Sequence, residues 1–154
     1  MTQQNQTSLR SVIPGENEPA GCCYVGQAVC ILVVEDEPVI RFLVAEGLAE
    51  AGFDVCEAED GDRASVLIED CPTPFTLLVT DIHMPGTLNG LAVASLMRVR
   101  HPSIPVIYTT GRPDALGAVG RLRDNEALLA KPFAPSDLLS LARRLLAKSE
   151  DASH

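Results

Sequence analysis

The sequence predicts a doubly wound α/β domain built on a five-stranded parallel sheet. From residue 29 onward, short apolar runs alternate with helical patterns, which is typical of consecutive βαβ units. Several of these runs end in polar side chains, as expected of strands whose carboxyl ends line one crevice. The chain has 154 residues, of which 46% are hydrophobic, so it can form one domain with an ordinary core.

The first strand is predicted at Cys30–Val34, a uniformly apolar run. The helix after it begins at Pro38, because proline suits the first turn, and Gly52 is its expected stop. The inward stripe of this helix is predicted to consist of Val39, Ile40, Leu43, Val44 and Leu48. The alternating run Phe53–Ala58 then predicts a half-exposed strand at an edge of the sheet.

The middle of the domain is predicted to contain two helices around the third strand. The first helix runs from about Gly61 to Asp70, and its inward residues are Ala64, Leu67 and Ile68. The third strand is Phe75–Asp81, an apolar run that ends in a carboxylate. The next helix starts at Asn89-Gly90 and continues through Arg100, where His101-Pro102 stops it.

The last part of the domain contains the weakest helical pattern of the chain. After a fourth strand at Pro105–Thr109, residues 113–125 predict a helix only weakly, since each of its two glycines costs about 1 kcal/mol relative to alanine. A fifth strand is predicted at Ala127–Ala130. The final helix spans about Pro135–Lys148 and carries a stripe of leucines.

The ends of the chain are predicted to lie outside the domain. Residues 1–28 are rich in Gln, Asn, Ser, Pro and Gly and lack apolar periodicity, so we expect a disordered or loosely packed arm. The domain is expected to span residues 29–148, with a short tail at 149–154 and no output domain. No signal peptide is visible, and no apolar run approaches the ~20 residues of a membrane span, so we expect a cytoplasmic protein.

Composition argues against two classes of function. The net charge is −9 and the pI is near 4.7, so nucleic acid phosphates would repel the chain. Aromatic residues make up only 4% of the sequence, which disfavours a surface for stacking bases. The five cysteines form no CxxC pair and therefore no zinc pattern, and we expect Cys30 to be a small buried hydrophobe.

Polar residues at the strand ends predict a site for phosphoryl chemistry on a divalent metal. Glu35-Asp36 and Asp81 end two of the strand-like runs and would lie close together. Two unit charges about 4 Å apart repel by roughly 4 kcal/mol at an effective dielectric constant near 20. Mg²⁺ removes that repulsion with one or two carboxylate ligands. Asp81 can form an acyl phosphate, Lys131 supplies a compact positive charge, and Thr110 offers a hydroxyl.

Four segments occur in the order that one protein family shows. They are Ile31–Pro38, Leu78–Gly86, Val106–Gly111 and Ala130–Phe133, and together they resemble the receiver domain of two-component response regulators. Any one of these motifs alone would be weak, but four in register are specific. The resemblance covers about residues 29–148 and implies a flavodoxin-like (βα)5 fold with strand order 2-1-3-4-5.

The resemblance also implies a role for each site residue. These are Asp81 as the phosphoacceptor, Glu35 and Asp36 as the acidic metal-binding pair, the backbone carbonyl of His83 as a further Mg²⁺ ligand, Thr110 as the switch hydroxyl and Lys131 as the invariant lysine. Family members take a phosphoryl group from a histidine kinase or phosphotransfer protein and lose it by self-catalysed hydrolysis. A homodimer would use the face formed by the fourth helix, the fifth strand and the fifth helix.

Two departures from the family pattern and two alternative functions remain. Leu128 stands where many members carry an aromatic residue that turns inward on activation, and the loop from Asp81 to Gly90 is one residue longer than is common. We expect a phosphorylation switch that signals through partner binding rather than an enzyme. The alternatives are a Mg²⁺-dependent phosphohydrolase that uses Asp81 as nucleophile, or a phosphorylation-independent adaptor.

Overall fold

A single parallel sheet forms the centre of the computed structural model, which describes residues 29–70, 74–112, 114, 117 and 120–152. The strand order is β2-β1-β3-β4-β5, so the predicted fold class and strand order are confirmed. The strands are β1 (Cys30–Val34), β2 (Asp54–Ala58), β3 (Leu77–Asp81), β4 (Val106–Thr110) and β5 (Glu126–Ala130). Every neighbouring pair runs parallel, so all five carboxyl ends lie at one edge.

Four helices cover the two faces of the sheet within the described residues. They are α1 (Pro38–Glu50), α2 (Gly61–Asp70), α3 (Gly90–Arg100) and α4 (Pro135–Ala152). Their starts follow local sequence signals: Pro38 occupies the first turn of α1, and the side chain of Asn89 accepts a hydrogen bond from Ala92 N at 2.9 Å. Gly52 has φ +102° and ends α1 as expected.

Alternation along the strands divides the core into two layers. Leu32, Val34 and Leu78 point to the face that α2 and α3 cover, where they pack with Leu67 and Met97. The residues between them point the other way. On that face the core consists of Ile31, Val33, Leu77, Val79, Ile107, Leu48 of α1 and Leu138, Ala142 and Leu145 of α4. A sheet buried on both sides holds its carboxyl edge as a rigid platform for the site.

The predicted inward stripe of α1 was partly wrong. Val44 and Leu48 are buried as expected, but Val39 is 70% exposed and Leu43 is 51% exposed. Phe42 between them is 59% exposed. The helix has apolar residues around more of its circumference than the sheet and α4 can cover, so its N-terminal half presents apolar side chains to solvent.

The predicted helix at residues 113–125 was wrong at its C-terminal end, and its positions 113, 115, 116, 118 and 119 lie outside the described residues. Residues 120–125 are not helical, because Gly120 adopts φ +75° and the backbone then turns so that Glu126 N donates to Arg123 O at 3.0 Å. The final helix continues to Ala152, four residues beyond the predicted end at Lys148. The predicted arm, residues 1–28, lies outside the described part of the chain.

Two further sequence expectations concern the membrane and the cysteines. None of the helices in the described ranges combines the length and the apolar character that a membrane-spanning segment requires. Cys30 is 1% exposed at the start of β1, as a small hydrophobe would be, but it is disulfide-bonded, which the sequence did not predict.

Candidate functional site

Three carboxylates meet at the carboxyl edge of the sheet because β1 and β3 are neighbours. Glu35 and Asp36 directly follow β1, and Asp81 is the last residue of β3. The register of these strands pairs Val34 with Thr80, which places the carboxylates side by side. One oxygen from each of the three lies within 4.8 Å of the others. The structure therefore brings together the three acidic residues that were predicted from the sequence to be neighbours.

Lys131 reaches this cluster from beyond β5. Its Nζ lies 2.8 Å from Glu35 Oε1 and 2.9 Å from Asp81 Oδ2, so one ammonium group bridges two carboxylates. All three side chains are at least 85% buried, since their exposed fractions are 15%, 4% and 7%. The backbone N–H of Lys131 also donates to Thr110 O at 2.7 Å, which fixes the lysine to the end of β4. The cation is thus built into the site.

Burial and charge act in opposite directions on the pKa values of Glu35 and Lys131. Burial raises the pKa of Glu35; the hydrogen bond from Lys131 lowers it, but less strongly, so the net pKa is above the ordinary value. For Lys131, burial lowers the pKa, but the hydrogen bonds and charges of Glu35 and Asp81 outweigh burial, and the net pKa is raised. Lys131 is therefore firmly protonated at neutral pH.

Backbone N–H groups hold the carboxylates in place. His83 N donates to Asp81 Oδ1 at 3.2 Å, and Glu37 N donates to Glu35 Oε2 at 3.1 Å. In both Glu35 and Asp81, one carboxylate oxygen therefore accepts from a backbone N–H and the other contacts the ammonium group of Lys131. The carboxylates are oriented by the chain itself.

Thr110 lies at the end of β4, and its hydroxyl is engaged by the loop that follows. Thr110 Oγ1 accepts a hydrogen bond from Arg112 N at 3.0 Å and donates to Arg112 O at 3.3 Å. A cavity of about 570 Å³ opens next to it, lined by His83, Met84, Pro85, Gly86, Thr87, Asn89 and Arg112. None of the three carboxylates lines this cavity, which adjoins the cluster through His83, whose backbone N–H donates to Asp81 Oδ1.

The donor set of the cluster fits a hard, oxygen-binding dication. Glu35, Asp36 and Asp81 offer carboxylate oxygens only, and two of the three side chains are buried where their mutual repulsion is expensive. Lys131 neutralises Glu35 and Asp81 in part, while Asp36 is half-buried and closer to solvent. Mg²⁺ is an ion of this class, and Glu35, Asp36 and Asp81 are the residues that could hold it.

A glycine is required at position 90, because its backbone closely approaches the backbone of Asp81. A Cβ at Gly90 would lie 2.0 Å from the carbonyl oxygen of Asp81 and 2.8 Å from its carbonyl carbon. The first residue of α3 therefore packs directly on the backbone that carries the carboxylate, and Gly90 N donates to Ile82 O at 2.9 Å. No larger residue fits without moving Asp81.

We predict that Gly90→Ala lowers the free energy of unfolding by about 2–3 kcal/mol, because the added methyl group forces the backbone of residue 81 to shift. Urea denaturation followed by circular dichroism measures this change. Gly111→Ala is the matched control, since a Cβ there meets no described atom within 4 Å. Equal stabilities for the two variants would contradict the close approach.

Two residues of the site were missed by sequence reasoning. Arg41 Nη1 donates to Glu35 O at 2.8 Å, and Arg41 Nε lies 3.5 Å from Glu57 Oε1, so this arginine links the acidic pair to β2. The sequence did offer one indication of this role, since Arg41 lies one turn into the helix that follows Glu35 and Asp36. Gly90 was read only as a helix start, because the sequence gives no measure of how closely two backbones approach.

The family comparison agrees with this geometry. The family model described as the response regulator receiver domain matches residues 31–143. The chain is 33% identical over 126 residues to the transcriptional regulatory protein AruR of Pseudomonas aeruginosa, a match that covers 79% of this chain and 51% of AruR. It is 32% identical over 120 residues to the aerobic respiration control protein ArcA of Escherichia coli, covering 77% of this chain and 49% of ArcA.

Solved structures show the same similarity. A response regulator receiver protein from Sinorhizobium medicae superposes with a TM-score of 0.73 at 28% identity, covering 80% of this chain and 98% of that one. NtrX from Brucella abortus superposes with a TM-score of 0.73 at 34% identity, covering 82% of this chain but 28% of NtrX. The chain spans about half the length, or less, of the first curated relatives it matches.

Proposed function

The chain belongs to the response regulator receiver domain family, and on that premise we propose that Asp81 accepts a phosphoryl group from a histidine kinase or a phosphotransfer protein. The observation that carries the proposal is the contact of Lys131 Nζ with Asp81 Oδ2 at 2.9 Å inside a cluster of three carboxylates. A buried aspartate with a fixed cation beside it is suited to accept an anionic group.

In the proposed reaction a carboxylate oxygen of Asp81 forms a bond to phosphorus while the bond from phosphorus to the nitrogen of the donor histidine breaks. Lys131 supplies positive charge next to the phosphoryl oxygens, and Glu35 keeps the lysine in position. Bound Mg²⁺, held by Asp36 and Asp81 with the backbone carbonyl of His83 as a further ligand, would neutralise charge on the carboxylates and the phosphoryl group.

We further propose that Thr110 reports the phosphorylation state. Its hydroxyl now donates to Arg112 O, so donation of that proton to a phosphoryl oxygen requires the bond to Arg112 O to break. The loop after β4 then loses an anchor and rearranges, which changes the surface that a partner recognises. The signal would leave through the segment after β4, β5 and α4, the face proposed for a second copy or an effector.

A protein phosphodonor needs a surface that holds it next to Asp81. The exposed side chains of Val39, Phe42 and Leu43 form an apolar patch at the start of α1. Leu43 also lines an apolar groove of about 240 Å³ together with Lys131 and Phe133, so the patch leads directly to the site. This patch supports a protein as the donor, since a small molecule would not need it.

We predict that the purified chain gains one phosphoryl group from acetyl phosphate when Mg²⁺ is present and none when EDTA removes the metal. Intact mass spectrometry measures the gain. Absence of any gain in the presence of Mg²⁺ would reject the proposal. Continued hydrolysis of a generic phosphate ester, well beyond one equivalent per chain, would favour a phosphohydrolase instead.

A further inference from the structure

A groove on the opposite side of α1 from Lys131 has the character of a binding surface. It has a volume of about 340 Å³ and runs between α1 and the edge strand β2. Four of its lining residues come from one face of α1 at helical spacing, and four come from the β2 segment. They are Phe42, Ala45, Glu46 and Ala49, followed by Phe53, Asp54, Val55 and Glu57. We call this surface the α1–β2 groove.

The groove is lined by both apolar side chains and carboxylates, and we call the carboxylates Glu46, Asp54 and Glu57 its acidic rim. Its small and aromatic residues include Phe42, which is 59% exposed although it is large and hydrophobic. Its charged residues are three carboxylates, and none of the described lysines and arginines lines it. Glu57 is ion-paired with Arg41 at 3.5 Å, whereas Glu46 is exposed and lies one turn along α1 from Phe42. Phe42 also belongs to the apolar patch proposed for the phosphodonor, whereas Glu35, Asp36, Asp81, Thr110 and Lys131 do not line this groove.

We propose that the α1–β2 groove binds a helix of a partner protein that carries basic residues beside an apolar stripe. A helix is favoured because the α1 side of the groove consists of residues at i, i+3, i+4 and i+7, into which the ridges of another helix can pack. Addition of a β-strand is disfavoured, since Asp54 and Glu57 place charge along the edge strand β2. Basic residues on the partner would complement the rim.

Other occupants fit the charge less well. A second copy in a twofold arrangement would bring Glu46 and its neighbours against the same acidic surface. Residues 1–28 of this chain contain one arginine and two glutamates, so the chain's own N-terminal residues are not basic. Anionic lipids and nucleic acids would be repelled by the same carboxylates. A basic helix with an apolar stripe is the occupant that gains from both the apolar lining residues and the acidic rim.

The test uses two synthetic helical peptides that share one leucine stripe but carry lysines or glutamates on its flanks. Nitrogen-15 chemical shifts of the full chain locate the binding, and fluorescence anisotropy gives the dissociation constants. We expect the lysine peptide to shift the amides of α1 and β2 and to bind at least about tenfold more tightly than the glutamate peptide. Binding should be unchanged in Asp81→Asn, since Asp81 does not line the groove.

Matched variants separate a specific groove from general attraction to an acidic protein. Phe42→Ala and Glu46→Lys should each weaken the lysine peptide about tenfold. Val99→Ala removes a side chain that is 80% exposed on α3 and does not line the groove. Glu69→Lys makes the same charge change as Glu46→Lys, but at an exposed site on α2. Both variants should leave binding unchanged. Equal binding of the two peptides, shifts outside the groove, or an equal loss in Glu69→Lys would overturn the proposal.

Discussion

Replacement of Asp81 by asparagine is expected to abolish phosphoryl uptake from acetyl phosphate completely. The amide has nearly the same shape, but it lacks the anionic oxygen that must form the bond to phosphorus. The fold should persist, because Lys131 keeps its contact with Glu35 at 2.8 Å. Intact mass spectrometry after incubation with acetyl phosphate and Mg²⁺ gives the result directly.

Two comparisons make the Asp81→Asn result specific. Asp70→Asn changes an exposed aspartate at the end of α2 and should take up phosphate like the parent chain. Magnesium should stabilise the parent chain by roughly 1–3 kcal/mol at 10 to 100 times its dissociation constant, and Asp81→Asn by clearly less, since one of the three carboxylates is lost. An Asp81→Asn chain that still acquires a phosphoryl group would place the acceptor elsewhere.

Lys131→Met is expected to lower the free energy of unfolding by about 3 kcal/mol at neutral pH in EDTA, because it removes the cation from two buried carboxylates. The residues left behind, Glu35 and Asp81, are only 3% and 5% exposed. Urea denaturation measures the loss. Lys148→Met is the control: Lys148 is exposed and donates to a backbone carbonyl, that of Asp124, so its loss should cost less than about 1 kcal/mol.

The effect of Lys131→Met should depend on pH in a defined direction. Burial raises the pKa of Glu35 in the folded state, and Lys131 opposes that increase. The pKa of Glu35 should therefore be still higher in Lys131→Met. A carboxyl group whose pKa is raised on folding destabilises the fold progressively as the pH rises through that pKa. The loss in free energy of unfolding caused by Lys131→Met should therefore become smaller as the pH is lowered from neutral. A deficit that is the same at every pH would show that Glu35 is not responsible.

Much of this fold was readable from the sequence, because each strand is a short apolar run bounded by a turn or a helix signal. β1, α2 and α3 begin and end where the pattern places them. The exposure of Val39 and Leu43 was not predictable, since periodicity identifies apolar positions but not how wide a strip the neighbouring elements cover. Residues 120–125 were misread because Gly120 turns the chain through a left-handed conformation that other residues rarely adopt.

The site was predictable to the extent that it follows from topology. Parallel strands bring their carboxyl ends together, so the order of the elements along the chain is enough to make Glu35, Asp36 and Asp81 neighbours. The partners of individual polar atoms were not predictable. Arg112 holds the hydroxyl of Thr110, and Arg41 holds the carbonyl of Glu35, through torsion angles that spacing along the chain does not determine.

Through its two salt bridges, Lys131 serves as an internal counterion for Glu35 and Asp81. A chain deprived of magnesium keeps Glu35 and Asp81 clamped by the same ammonium group, so the architecture around the acceptor does not have to be assembled when the ion arrives. We therefore expect the chain to fold without magnesium, which adds only the modest stabilisation that binding supplies, whereas the proposed phosphoryl transfer should require the ion.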